Sequence, residues 1–402
     1  MSDSLSPSYV SPPIKRVSPG EWIHKNLFSS WFNGFLTLIS LLFIGWVGFN
    51  LIDWIFTEAQ WQVITANLRL FFVGYYPIEL LWRTWISLGI LVSLGGLSWG
   101  IFSRQTLLFN RTSLMILFIF AAICVFFTVT SGLMTSLILW GMLLLLILCA
   151  VGGKKLGQSV PSLGTWLGLI WLGTFLIVWW LLRGGLFLDL VPLSLISGLI
   201  LTLSVAIVSI VLSFPFGVLL ALGRQSSLPV IRWLSIAYIE LIRGFPLIGI
   251  LFMAQVMLPL VLPLGVRPDS IVRAIAGFTL FSAAYLAENV RGGLQSVPRG
   301  QTEAAKALGL NPLLVLSLIV LPQALKAVIP TLVGQFISLF KDTSLLAIVG
   351  LVDLLGISQS ILANPKYQGR NVEVYLFIGF MYWLCCSAMS LASRKIETKM
   401  SQ

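Results

Sequence analysis

Charge is scarce in this chain. Only 10% of its 402 residues are Asp, Glu, Lys or Arg, against about 25% in an ordinary soluble domain. Soluble globular folds are excluded on that ground alone. One histidine, His24, stands in the polar N-terminal stretch, so chemistry built on paired imidazoles as metal ligands or acid–base groups is excluded too. Four cysteines are too few and too scattered for a disulfide framework: Cys124 and Cys149 lie inside apolar runs, and Cys385 and Cys386 are adjacent within another. They read as small apolar residues. The surplus of basic residues, a net charge of +11, is dispersed and builds no basic face on a soluble module, which argues against nucleic acid as a partner. No catalytic serine motif or metal-ligand cluster is present.

What the chain has instead is hydrophobicity. Apolar residues make up 58%, in unbroken runs rather than the alternating pattern of an outer-membrane barrel. A spanning helix needs about 20 such residues. The fold class is therefore an all-α polytopic membrane protein with about ten transmembrane helices. The charge-free intervals place them near residues 33–52, 84–103, two within Thr112–Gly153 separated by a turn at Ser131-Gly132, then near 163–182, within 190–223, and near 236–262, 269–290, 328–350 and 374–393. Residues 1–32 precede the first run as a Ser- and Pro-rich tail. They lack the early apolar core of a secretory signal, so the first run reads as a retained span.

Basic residues flank cytoplasmic ends in excess. With the N-terminus inside, seventeen Lys and Arg fall on the inner side, from Lys15 to Lys399, and seven on the outer, while Lys341 lies within a span. This orientation leaves both termini in the cytoplasm, along with a polar loop, 291–322. A change of pattern near Arg183–Asp189 divides the chain. Residues 33–189 form an extension of about five spans with little internal charge, 190–395 a core carrying paired charges and prolines, and 396–402 a short tail. No repeat relates the halves, which argues against the inverted repeats of many secondary transporters.

Within the loop, Pro298 and Gly300 break the preceding helix, Gln301 to Leu308 favours a helix, Gly309 ends it, and Asn311-Pro312 starts another. The product is a short Ala-faced helix with Glu303 near one end. It suits docking into a groove of another protein, and equally an amphipathic helix lying on the membrane. Two further features have weaker signals. Gly96-x-x-x-Gly100 has the spacing of a close helix-packing face. Gly152 to Ser159 has the glycine and serine spacing of a phosphate-binding loop, but Gln158 replaces the phosphate-contacting Lys, and it reads as a basic loop.

The segment Glu303-Ala304-Ala305, with Gly309 six residues on and Leu321-Pro322 further along, resembles the EAA loop of ABC-importer permeases. Three stretches in order, IELIRGFPLIGILF, AENVRGGLQSVPRGQTEAAKALGL and LPQALKAVIPTLVGQFISLFKDTSLLAIVG, resemble the polar and general L-amino-acid (histidine/glutamine-type) branch. The likeness covers about residues 195–395, and the preceding spans are similar to those of the longer members. It implies a five-helix type I permease core in the bacterial inner membrane, translocating amino acids inward. Glu303, Ala304, Ala305 and Gly309 would form the coupling element seated in an ATPase subunit. Glu240, Arg243, Gly244 and Pro246 would stand at the cytoplasmic mouth. Lys341, Asp342 and Thr343, in a span where charge is costly, read either as a structural ion pair or a charge reaching to the interface, or as lining of the amino-acid path. Phe245 and Asp342 depart from the commonest pattern, which leaves the substrate open.

The implied partners are an ABC ATPase dimer, a second permease subunit (the same or a homologous chain), a periplasmic or lipid-anchored amino-acid-binding protein, and membrane lipid. The chain itself is expected to carry no cofactor and no enzymatic site, with Mg-ATP on the ATPase. The competing reading is an ion-coupled secondary amino-acid transporter.

Overall fold

The computed structural model describes residues 18–400, apart from Thr106, Ser131 and Leu264. The tail before residue 18, the end of the C-terminal tail and half of the expected Ser131-Gly132 turn lie outside the described residues. Those that are described form helices and connections with no strand among them. The chain divides into two compact units, Met1–Gln60 and Trp61–Gln402.

The first unit contains α1 (Pro19–Leu27) and α2 (Trp31–Thr57). Helix α1 was not foreseen, although its start follows the capping-box rule: the Ser18 hydroxyl accepts from the Glu21 N–H, and the Glu21 carboxylate accepts from the Ser18 N–H. Helix α2 has no buried residue within the chain. An apolar helix exposed all round needs lipid or a partner around it.

The second unit begins with α3 (Gln62–Val73), too short and too polar to register among the expected spans. It continues through α4 (Leu81–Phe102), α5 (Arg111–Thr130), α6 (Leu133–Ser159) and α7 (Leu163–Arg183). Helix α3 fills space rather than crossing it. Val63, Ile64, Leu68 and Phe71 are buried against Leu354, Ile357, Val374 and Ile378 from the far end of the chain. Helices α4 and α6 approach closely through glycine. A Cβ on Gly100 would stand 2.1 Å from the Ala150 carbonyl oxygen, and one on Gly153 would stand 2.3 Å from that of Leu97. The Gly96-x-x-x-Gly100 spacing is thus a packing face in the sense expected. The same packing overturns the basic-loop reading of Gly152–Ser159. Those residues continue α6 as helix because Gly153 and Gly157 are the small positions that α4 sits on.

The remaining helices are α8 (Gly198–Arg224), α9 (Pro229–Gly244), α10 (Leu247–Phe252), α11 (Leu258–Val261), α12 (Ser270–Ser296), α13 (Arg299–Ala307), α14 (Pro312–Leu314), α15 (Leu321–Asp342), α16 (Leu354–Leu362) and α17 (Asn371–Met400). Wide-turn segments at Met253–Met257 and Val315–Val320 join α10 to α11 and α14 to α15. Helix α12 is the centre of this region. Asp269 caps it through the Ile271 N–H, and thirteen of its residues are buried. It packs on α8 at Gly217, where a Cβ would lie 2.4 Å from the Leu286 side chain. It packs on α15 at Gly293, where a Cβ would lie 2.5 Å from the Ala324 carbonyl.

Among the described residues, eight helices are long and apolar enough to cross a membrane, or up to nine if one bent pair counts as a crossing. About ten were expected, and two positions account for the difference. Over its described residues α5 presents the apolar stretch Ser113–Val125 and is not among the eight. The expected span 236–262 is two pieces, Pro229–Gly244 and Leu247–Val261, bent by 105°. The break falls at Phe245-Pro246, where Pro246 cannot donate a helical hydrogen bond and disfavours helix at the residue before it.

One connection between spans is itself buried. Asp353 caps α16 through the Gly356 N–H at 2.9 Å, and Gly198 donates its N–H to the Val352 carbonyl. Asp353 is fully buried. Burial pushes its carboxyl up to about 6, with the Gly356 N–H pulling the other way.

Candidate functional site

The end of the bundle where α8 and α12 finish and α9 bends carries a cluster of charge. Glu288, on α12, is its centre. Its Oε1 accepts from Arg224 Nη1 of α8 at 2.8 Å, and its Oε2 accepts from Arg291 Nη2 at 2.9 Å. Arg291 Nε lies 3.1 Å from both oxygens, and Arg243 Nη1 of α9 stands 3.7 Å from Oε2. Arg224 Nη1 is shared with Glu240 Oε1 at 2.9 Å. The Arg243 guanidinium also lies 5.4 Å from the centre of the Tyr285 ring, a cation–π arrangement. Three arginines and two acids tie three helices together at one end.

Beside Glu288, Asn289 begins a neutral polar link between α12 and α15. Asn289 Nδ2 donates to Gln335 Oε1 at 2.5 Å, and Gln335 Nε2 donates to the carbonyl and hydroxyl of Ser282 at 2.9 and 3.2 Å. The amides are mutually satisfied, as buried polar groups must be.

Helix α12 leads within three residues into α13. Proline and glycine set the limits of α13, as expected from the sequence. Pro298 stands before its first turn, and at its end the chain closes a Schellman turn. There Gly309 donates to the Lys306 carbonyl at 2.9 Å and Leu310 donates to that of Ala305 at 3.2 Å. Gly309 takes φ +80°, with open space where a Cβ would be. Glu303, Ala304, Lys306 and Ala307 are exposed, and Leu308 is 83% exposed. Ala305 is not. At 4% exposure it is the residue that seats α13 on its own chain, where the helix packs against the Val315–Val320 segment. The outward face of α13 is therefore Glu303, Ala304, Ala307 and Leu308.

The sequence-expected mouth residues come together only in part. Glu240 and Arg243 enter the charge cluster. Gly244 is exposed with nothing beside it, and Pro246 starts α10 at the bend. Lys341 and Asp342 occupy the last turn of α15, toward the end of the apolar stretch Pro312–Ala347 and not in the middle of a span. Thr343 is buried, its hydroxyl donating to the Phe340 carbonyl at 2.6 Å. Among the described residues no salt bridge within 4 Å involves Lys341 or Asp342, and the choice between a structural role and the path stays open at that position. Sequence reasoning missed Arg224 and the linking role of Glu288. The Glu288-x-x-Arg291 spacing, which puts both side chains on one helix face, was the available signal. For Arg224 there was none, since its partners are 16 and 64 residues away. Among the described residues no three of His, Cys, Asp and Glu gather as a metal site.

Taken together, these features define a class: a polytopic helical membrane protein that carries a bundle end laced with charge and a short displayed helix beyond it. Residues 213–402 match the family of binding-protein-dependent transport system inner membrane components. The inner membrane amino-acid ABC transporter permease protein YhdY of Escherichia coli (strain K12) is 37% identical over 396 residues, covering 94% of this chain and 92% of that protein. The glutamate/glutamine/aspartate/asparagine transport system permease protein BztC of Rhodobacter capsulatus is 35% identical, covering 97% of this chain and 95% of that one. A crystal structure of an amino acid ABC transporter with histidines is 29% identical over 50% of this chain and 92% of its own, with a TM-score of 0.46. The chain belongs to the family of amino-acid ABC transporter permeases. It is a membrane transport subunit rather than an enzyme.

Proposed function

We propose that this chain forms the membrane path of an ATP-driven amino-acid importer and takes its driving force through α13. The observation that carries this reading is the helix itself. Its inner face is fixed by Ala305, its end is closed by Gly309, and Glu303, Ala304, Ala307 and Leu308 are displayed to whatever lies beyond. Small side chains on an exposed helix let a partner's groove approach closely. On this reading an ATPase dimer holds α13, and binds and hydrolyses Mg-ATP. A second permease subunit completes the path, and an amino-acid-binding protein delivers substrate from the other side. This chain needs no cofactor of its own. Both termini and the 291–322 loop face the cytoplasm, in keeping with the excess of basic residues on that side.

The charge cluster lies between the coupling helix and the spans. Movement of α13 is passed to α12, and Glu288 connects α12 to α8 and α9. Nucleotide shifts the equilibrium between inward-open and outward-open forms because the ATPase binds the two differently. Lys341, Asp342 and Thr343 contribute to the path near the outer end of α15. The test is the double variant Glu303→Arg with Gly309→Leu. It places a reversed charge on the docking face and an L side chain at φ +80°. Membrane insertion is expected to persist while ATPase co-purification and uptake are lost. If both stay at parental levels, α13 is not the docking element.

A further inference from the structure

The connection between α7 and α8 ends in a tip that nothing in the transport reading uses. Gly185 and Leu188 exchange two backbone hydrogen bonds, at 2.8 and 3.1 Å, which leaves Leu186 and Phe187 as a two-residue turn. Leu186 is 89% and Phe187 94% exposed. Leu186 has φ +57° and is the one non-glycine residue with positive φ among those described. Positive φ at the first central position alone is the pattern of a type II′ turn, where glycine is usual. A strained leucine persists there because the base of the loop is held from several sides. Trp180 Nε1 donates to the Gly185 carbonyl at 3.2 Å, Val191 donates to that of Arg183 at 2.7 Å, and Arg83 Nη1 donates to that of Asp189 at 2.7 Å. Arg83 is 1% exposed, so a buried guanidinium fixes the loop from below. Tyr76 adds a bond from its hydroxyl to the Leu182 carbonyl at 2.7 Å.

We propose that this tip is a membrane anchor that seats Leu186 and Phe187 in the interfacial layer of the lipid bilayer. The choice of lipid as partner follows from reach. The span on α7 ends at Arg183, and Phe187 is the fourth residue beyond it. Four extended residues cover at most about 14 Å, and a hairpin returns over half of that. The headgroup layer is itself roughly 5–8 Å deep on each side of the hydrocarbon, so the tip stays within it. The surroundings match such a level. Trp82, Trp180 and Tyr75, each partly exposed, belong to the same end of the structure and are the residue types that collect at membrane interfaces. Leu190, 69% exposed, extends the apolar surface. The inference rests on the spans alone, and holds whichever side the loop faces and whatever drives transport.

The experiment places a nitroxide at Phe187→Cys in the full-length chain, reconstituted in phosphatidylethanolamine–phosphatidylglycerol bilayers without any binding protein. The signal of the labelled parent, which has four free cysteines, is subtracted. Collision with dissolved oxygen is expected to exceed collision with a water-soluble nickel chelate by at least about threefold, as for a lipid-immersed side chain. Dominant nickel collision would show a water-exposed tip and overturn the proposal. An immobile label shielded from both would show a tip covered by protein, and would overturn it equally. Leu190→Cys is expected to give the same ratio, and decides the question if the Phe187→Cys chain fails to insert.

Discussion

Replacing Glu288 by glutamine tests the link between coupling and path most directly. The side chain keeps its shape but loses its charge, leaving Glu240 as the single acid among Arg224, Arg243 and Arg291. Removing one partner of a fully buried ion pair costs about 3–5 kcal/mol, and an exposed pair is worth about 0–1 kcal/mol. Glu288 is 17% exposed and its arginine partners 23–36%, so the loss lies between, about 2 kcal/mol. At 1.4 kcal/mol per tenfold, that shifts any equilibrium that keeps these helix ends together by roughly 30-fold. Only the form in which α8, α9 and α12 meet at this end is affected. The expected phenotype is therefore loss of coupling rather than loss of fold. In proteoliposomes holding the complete complex, uptake should fall at least about tenfold while ATP hydrolysis becomes independent of substrate. A cycle with Arg224→Gln separates the tie from general damage, because the double variant should be little worse than Glu288→Gln alone. Uptake and substrate-stimulated hydrolysis both within about twofold of the parent would refute the reasoning.

Two further outcomes are expected. Asp353, raised by burial from 3.8 to about 6, binds its proton more tightly when folded. Its stabilising contribution is thus complete below about pH 4 and is lost as pH rises through 6, an effect of up to about 3 kcal/mol. Thermal unfolding of Asp353→Asn should lack that part of the parent's decline between pH 4.5 and 7, and an identical decline in both would show that Asp353 does not titrate there. For orientation, a cysteine at Ser296, at the end of α12, is expected to resist a membrane-impermeant thiol reagent added to intact cells and to react once they are opened. Labelling in intact cells would reverse the topology.

How much of this was legible beforehand depended on how local the controlling physics is. The limits of α13 were readable because proline, glycine and a run of helix formers act within a few residues, and the structure ends the helix at the Gly309 turn. The capping box of α1 is equally local, in Ser18 and Glu21, but it stands inside a polar tail with no apolar run beside it to mark a helix. Spans could be located because a charge-free run of sufficient length needs no tertiary context. Two features escaped. The bend at Phe245-Pro246 leaves an apolar run unbroken, and hydropathy does not distinguish a straight helix from one turned by 105°. Helix α6 absorbs Gly152–Ser159 only because α4 offers backbone that glycine can approach, which no window of sequence around residue 155 contains. The face of α13 was likewise incomplete. Ala304 and Ala305 are interchangeable by composition, and which one points outward is set by the side on which the Val315–Val320 segment packs against the helix.

The same distinction explains why Glu288 rather than Glu303 carries the more informative variant. A charge on an exposed docking helix acts through a separate chain, so its loss reports on affinity and is blind to what happens inside the permease. Glu288 acts within this chain, between the element proposed to receive the force and the helices proposed to move. If α13 docks normally in the Glu288→Gln complex and hydrolysis continues without transport, the fault lies between docking and path. Among the described residues, the side-chain ion pairs joining α12 to α8 and α9 at that end run through Glu288. Retained docking with lost transport would therefore locate coupling in this carboxylate, while lost docking would make the cluster part of the fold of the loop.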